Sequence, residues 1–196
     1  MRKVYLSYWD AHQKEAEKVK VLLGGRVISD RHDSKRKASS EEERMLRIKS
    51  EVLRDSQVTI CLIGKDCSEF NKAGEQKWRK QELMASLYDA EGFPRSGLLG
   101  VVLPEVYDLI FKEEQICETC NDTHPSIHLY DDVVVRELSY NYFLPFPNQP
   151  NCWKDEDRFC ILVSMKDFLE YPDDYIELAY QKTQEKVSRK VRWQVY

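Results

Sequence analysis

Apolar runs of strand length alternate along this chain with segments whose apolar residues recur at helical spacing, and that alternation constrains the fold more than any other feature. Strands buried on both faces read as continuous apolar runs, and strand-helix alternation argues for a parallel sheet covered on both sides. Residues 4–8 open as a strand. Asp10 then caps a helix with Ala16, Val19 and Leu23 on its apolar face, and Gly24-Gly25 supplies the stop. Val27 and Ile28 make a second short strand that ends at Ser29 and Asp30. Ser40 followed by Glu43 reads as a capping box opening a helix whose buried stripe is Met45, Ile48 or Lys49, and Val52.

Residues 58–63, bounded by Gly64, have the pattern of a central strand. Residues 78–88 return to helical spacing, and residues 97–103 form a fourth strand before Pro104. Residues 159–164 give the fifth, and Pro172-Asp173-Asp174 starts a last helix with Ile176, Ala179, Thr183 and Val187 on one face. This is the element count of a flavodoxin-like α/β fold, a doubly wound five-stranded parallel sheet with helices on both faces. Periodicity fails between about 105 and 157, where prolines, asparagines and aromatics accumulate, so that segment is expected to be a long insertion before the last strand.

A chain of 196 residues suits one domain, expected over 1–190 with a tail at 191–196. Thirty basic against 34 acidic residues leave a net charge of −4, which gives no global field toward nucleic acid or an anionic membrane. No apolar run approaches the roughly 18 to 20 residues that cross a bilayer, and Met-Arg-Lys leads directly into a strand-like run. A cytoplasmic location is the expectation, with the six cysteines reduced.

Ligands of open parallel sheets bind beyond the carboxyl ends of the strands, which brings Ser7, Tyr8, Trp9, Asp30 and the loop after Gly64 to one rim. Tyr8 and Trp9 are adjacent in a strand and so point to opposite faces. Trp78 and Glu82, four apart on the helix after the third strand, share a helical face on which an indole can shape the surroundings of an acid. Ser29 and Asp30 are also residues that cap loops, and the charged run over residues 31–37 has the composition of a solvated loop.

The opening Val4-Tyr-Leu-Ser-Tyr8 strand, Ser56 before Val-Thr-Ile-Cys-Leu-Ile-Gly64, and Trp78-Arg-Lys-Gln-Glu82 together resemble a bacterial TIR domain over about residues 1–110. Similar proteins include the short TIR-like components of Thoeris anti-phage systems. The resemblance implies a TIR-type flavodoxin-like fold and cleavage of the bond between nicotinamide and ribose, with NAD as substrate and no cofactor. It makes Glu82 the catalytic residue, stabilising positive charge on the ribose as acids do in glycoside hydrolysis, with no metal required. By position, Tyr8 or Trp9 stacks on nicotinamide or adenine, Ser7 hydrogen-bonds ribose or phosphate, and Asp30 and Trp78 complete the substrate-binding set. The product would be ADP-ribose, a cyclised isomer or a conjugate that signals to a separate effector protein, and the site can be completed by a homo-oligomer.

Other readings stand beside this one. In a non-catalytic TIR adaptor, the loop carrying Arg31 and Lys35 recruits a partner and Glu82 is incidental. A receiver or nucleotide-binding module lacks support, because there is no acidic cluster after the first strand and no Gly-rich phosphate loop. A nucleoside deoxyribosyltransferase-like enzyme shares the sheet and the use of a glutamate. Separately, Cys117-Glu-Thr-Cys120 followed by His124 and His128 offers four zinc-compatible ligands that could staple the insertion, with free loop thiols as the alternative. Cys61, in the central strand, reads as core packing.

Overall fold

A computed structural model of the chain describes residues 1–28, 38–71 and 74–194. Strand β1 (Val4–Ser7) leads through a 3-10 turn into helix α1 (Gln13–Leu23), and strand β2 (Val27–Ile28) follows. Helix α2 (Glu41–Ile48) continues into a π-helical turn before strand β3 (Val58–Ile63). Helix α3 (Gly74–Leu87), strand β4 (Gly97–Val102) and the short helix α4 (Tyr107–Ile110) come next. Strands β5 (Phe111–Ile116) and β6 (Thr123–Ile127) precede helix α5 (Arg136–Tyr142), strand β7 (Cys160–Ser164) and helices α6 (Met165–Glu170) and α7 (Pro172–Lys182). Ser29, Asp30 and the charged run over 31–37 lie outside the described residues, as do 195 and 196.

Five strands pair in parallel in the order β2-β1-β3-β4-β7, which is the flavodoxin-like order 2-1-3-4-5 when only the sheet's own strands are numbered. The registers Ser7 against Cys61 and Cys61 against Gly100 align the three central strands. Every residue of β1, β3 and β4 is buried, as a strand covered on both faces requires. Val4 and Leu6 point into one layer with Val19 of α1, Phe168 of α6 and Ile176 of α7. Tyr5 points into the opposite layer with Met45, Ile48, Val52 and Ala85, so α2 and α3 cover that face. Helix α7 lies so close to the start of β4 that a Cβ on Gly97 would sit 2.1 Å from the Ala179 carbonyl oxygen, which is why no side chain stands there.

Ser40 caps α2 as its sequence implies, its hydroxyl accepting from the Glu43 amide at 3.1 Å. The reciprocal half of the capping box is displaced by one residue: the Glu43 carboxylate accepts from the amide of Ser39 at 2.7 Å and from the Ser39 hydroxyl. Helix α7 stops at Lys182, and Val187 reaches the core from a separate 3-10 turn, Lys186–Lys190.

The segment over 105–157 resolves into two parts of different character. Strands β5 and β6 form an antiparallel hairpin whose first strand is largely exposed. Helix α5 belongs to the sandwich, because Val134, Val135, Leu138 and Tyr142 pack with Leu98 and Cys160 of the sheet. Its apolar period is masked in the sequence by Glu137, Ser139 and Asn141, polar residues that are buried as well. No helix among the described residues is long and apolar enough to cross a membrane.

Candidate functional site: a buried carboxylate at the end of strand β1

Strand alternation puts Tyr5 and Ser7 on the same face of β1, and helical spacing puts Arg79 and Glu82 three apart on α3, which packs over that face. The four side chains meet. Glu82 Oε1 accepts from the Tyr5 hydroxyl and from Arg79 Nη1 at 2.8 Å. Glu82 Oε2 accepts from the Ser7 hydroxyl at 2.6 Å and from the same Arg79 nitrogen at 2.7 Å. Glu82 is completely buried and Arg79 is 3% exposed.

Taking two ions out of water costs several kcal/mol each, offset only by good geometry and further hydrogen bonds. Burial pushes the Glu82 carboxyl above its usual range, opposed by the charge of Arg79 and by the donated bonds from Ser7 and Tyr5. Every neighbour donates to the carboxylate, so its ionised form fits the site. Burial and the adjacent Glu82 charge push Tyr5 upward, keeping the phenol a donor. Ser7 is the last residue of β1, at the edge where parallel sheets bind ligands.

Trp9 is buried against Cys61, Ile63, Cys67 and Leu83, and its indole N–H donates to Gln76 Oε1 at 3.0 Å. Gln76 in turn donates to the Ser68 carbonyl at 2.6 Å, tying the loop after β3 to the start of α3. Tyr8 points to the other face of the sheet, where its hydroxyl accepts from Lys20 Nζ at 3.1 Å. The rings of Tyr8 and Trp9 are thus packed in opposite layers, 7% and 1% exposed, and do not share a pocket. Trp78 is half-buried and packs with the Tyr5, Met45 and Ile48 cluster. The residue of α3 that reaches the Glu82 carboxylate is its neighbour Arg79, to which the sequence reading assigned no role. Asp30 lies outside the described residues.

Sequence reasoning also missed His12 and Glu105. His12 is buried in the turn after β1, with Nε2 3.3 Å from Glu105 Oε1, and the Lys65 amide donates to that same oxygen at 2.9 Å. A Cβ on Gly64 would lie 2.3 Å from His12 Nε2, so this glycine lets the loops after β1, β3 and β4 close together. A cavity of about 620 Å3 lies alongside α3, with Arg44, Glu69, Gln76, Lys80 and Met84 among its walls. Near it, Lys80 pairs with Glu69 and stands 3.7 Å from Glu137 Oε1. Glu137 is fully buried, neither of its carboxylate oxygens has a hydrogen bond among the described residues, and burial pushes its carboxyl up to about 7.

The zinc-compatible residues separate. Cys117, Cys120 and His124 come together at the hairpin tip, and the fourth member of their cluster is Cys152, with all four ligand atoms within 4.8 Å of one another. His128, expected among the ligands, instead contacts the Ser126 hydroxyl at 3.2 Å and the Tyr130 ring. The reason is the strand rise: at about 3.3 Å per residue, four residues carry His128 roughly 13 Å from His124, to a position just past β6 where its amide still donates to the Ile110 carbonyl at 2.8 Å. Cys61 is buried in β3, as its sequence context implied, and Cys160 is buried in β7 with its thiol pushed up to about 12 by burial. No protein-family model, curated protein or solved structure matches the chain.

Proposed function

We propose that this chain is a TIR-type NAD-cleaving enzyme, a glycohydrolase or an ADP-ribosyl cyclase or transferase, with Glu82 as its catalytic carboxylate. Its ADP-ribose-derived product would serve as a signal to a separate effector protein in bacterial anti-phage defence. The observation that carries the reading is the convergence of Glu82, Arg79 and Ser7 at the C-terminal end of β1 in a sheet of flavodoxin-like order.

The quartet is closed, so the reaction needs an exchange of partners. A guanidinium matches a phosphate as well as it matches a carboxylate. When the dinucleotide pyrophosphate takes Arg79, Glu82 keeps the hydroxyls of Tyr5 and Ser7 and turns its charge toward the nicotinamide ribose. The bond from C1′ to the nicotinamide nitrogen breaks, its electron pair leaves with neutral nicotinamide, and the carboxylate stabilises the cationic sugar. Water, a ribose hydroxyl or an amino-acid side chain then adds at C1′ and releases its proton to solvent, whereas an adenine ring nitrogen adds through its lone pair and the purine carries the positive charge or loses an exocyclic N–H proton to solvent.

The test is mass spectrometry of nucleotides after incubating purified protein with NAD, including protein taken from infected cells. Nicotinamide release is expected, reduced at least about 100-fold by Glu82→Gln. Circular dichroism of the variant separates lost chemistry from lost folding. Intact NAD in every wild-type sample would overturn the reading.

A non-catalytic TIR adaptor is the second reading, and the complete burial of Glu82 in its ion pair favours it. In that case charge reversal at Arg31 or Lys35 abolishes protection against phage, while Glu82→Gln acts only through stability.

A further inference from the structure

The base of the β5–β6 hairpin packs on the core through Phe111 and Ile127, but its far part projects outward, with four consecutive exposed residues in β5. A two-stranded hairpin is marginal in water by itself, so something beyond its ladder must hold the projecting tip. Its turn is shaped around a cysteine: the Cys117 amide donates to the Asp122 carbonyl at 3.0 Å, and the Asn121 amide donates to the Cys117 carbonyl at 2.8 Å. Asn121 takes a left-handed φ of 58° to close that turn. Cys117, Cys120 and His124 thereby face the same way.

A second tight turn comes to meet them. The Cys152 amide donates to the Gln149 carbonyl at 3.1 Å, Asn151 also takes a φ of 58°, and Cys152 is 1% exposed. Its sulfur lies 3.8 Å from His124 Nε2.

We propose that Cys117, Cys120, His124 and Cys152 are the ligands of a structural zinc site that pins the hairpin to the loop entering β7. The dimensions fit. Zinc–sulfur bonds of about 2.3 Å set tetrahedral edges of roughly 3.8 Å. The largest separation among the four ligand atoms is within 4.8 Å, so a contraction of about 1 Å completes the tetrahedron. Three thiolates and an imidazole are a soft donor set that selects zinc over magnesium or calcium. With all four positions filled by protein, the ion stabilises structure and leaves none open for a substrate.

Three thiolates around a divalent ion leave one negative charge. Lys154 lies close enough to Cys120 and Cys152 to feel their charge and also pairs with Asp122 at 3.4 Å, so an ammonium is in place to offset it. The Thr119 hydroxyl donates to the Pro150 carbonyl at 3.3 Å, joining the same two turns beside the sulfurs. Binding displaces the protons of the thiols, so uptake of zinc acidifies an unbuffered solution.

The test uses the full-length protein purified without added chelator and kept reduced. Elemental analysis is expected to find about one equivalent of zinc. Cobalt added after chelation should give thiolate charge-transfer and tetrahedral visible bands that zinc abolishes. Cys152→Ser and Cys120→Ser should each reduce metal content several-fold, and His128→Ala should leave it unchanged. Cobalt spectra of the wild-type chain keep the test decisive where a cysteine variant fails to fold. Reduced wild-type protein that fails to take zinc from a micromolar chromophoric chelator would overturn the proposal. So would mass spectrometry showing a disulfide within the cluster in protein purified under reducing conditions, or metal content lost with His128 and retained without Cys152. None of these outcomes depends on NAD cleavage.

Discussion

The Glu82 quartet and the Cys117 cluster each gather four side chains, the first buried between α3 and the C-terminal end of β1 and the second at the tip of an exposed hairpin. Around Glu82 the apolar layers are complete: Tyr5 packs with Met45, Ile48 and Val52, and Leu83, next to Glu82, joins Trp9 and Cys61. Polar groups there are held in place by packing, and their own bonds offset desolvation. Around Cys117 little apolar surface is buried, and the ligands themselves join the two turns. A polar cluster inside a core is thus positioned by the fold, whereas one at its margin must supply its own cohesion.

Breaking one partner of the core pair should have the largest effect. Arg79→Met leaves a buried carboxylate with two hydroxyl donors and no counter-charge, and is expected to cost about 3 to 5 kcal/mol in urea unfolding. Adding Glu82→Leu should return most of that loss, since replacing both partners by apolar groups removes the desolvation cost. A double variant no more stable than Arg79→Met would mean that the quartet's bonds, more than its packing, hold this region together.

Glu137 sharpens the contrast, being a buried carboxylate without the donors that Glu82 has. Its carboxyl stands at about 7, above the unfolded value near 4.3. Between those two pH values the folded state binds more protons than the unfolded state, so stability falls as pH rises through the window. At about 1.4 kcal/mol per pH unit, that difference corresponds to roughly 4 kcal/mol as an order of magnitude. Glu137→Gln is therefore expected to flatten the stability profile between about pH 4.5 and 7 and to be more stable than wild type at pH 8. Urea denaturation across that range measures it, and an unchanged slope would assign the titration to other groups.

The smallest global effect belongs to the margin. Chelation of zinc should expose the amides of residues 111–127 to hydrogen exchange while those of β3 and β4 stay protected, with less than about 1 kcal/mol lost from the sheet. Loss of protection throughout β3 and β4 would show that the hairpin supports the core.

The sheet was legible because each of its strands carries its own signal. Residues 58–63 are apolar except for the β-branched Thr59, and the structure places β3 over those same positions. Helix α5 was not legible, since Glu137, Ser139 and Asn141 occupy buried positions that a periodicity reading assigns to a solvated face. Glu82 was singled out by its spacing from Trp78, yet the partner that bonds it is Arg79.

Local order along the chain determined which segments become strands and helices, because burial on one or both faces writes a period into consecutive residues. Tertiary structure alone decided which side chains meet. The Glu82 carboxylate finds hydroxyls 77 and 75 positions away because α3 crosses back over β1, and Cys152 takes the place expected for His128 because two distant turns converge. Such contacts depend on register and packing between segments, and a single segment carries no record of what it will touch.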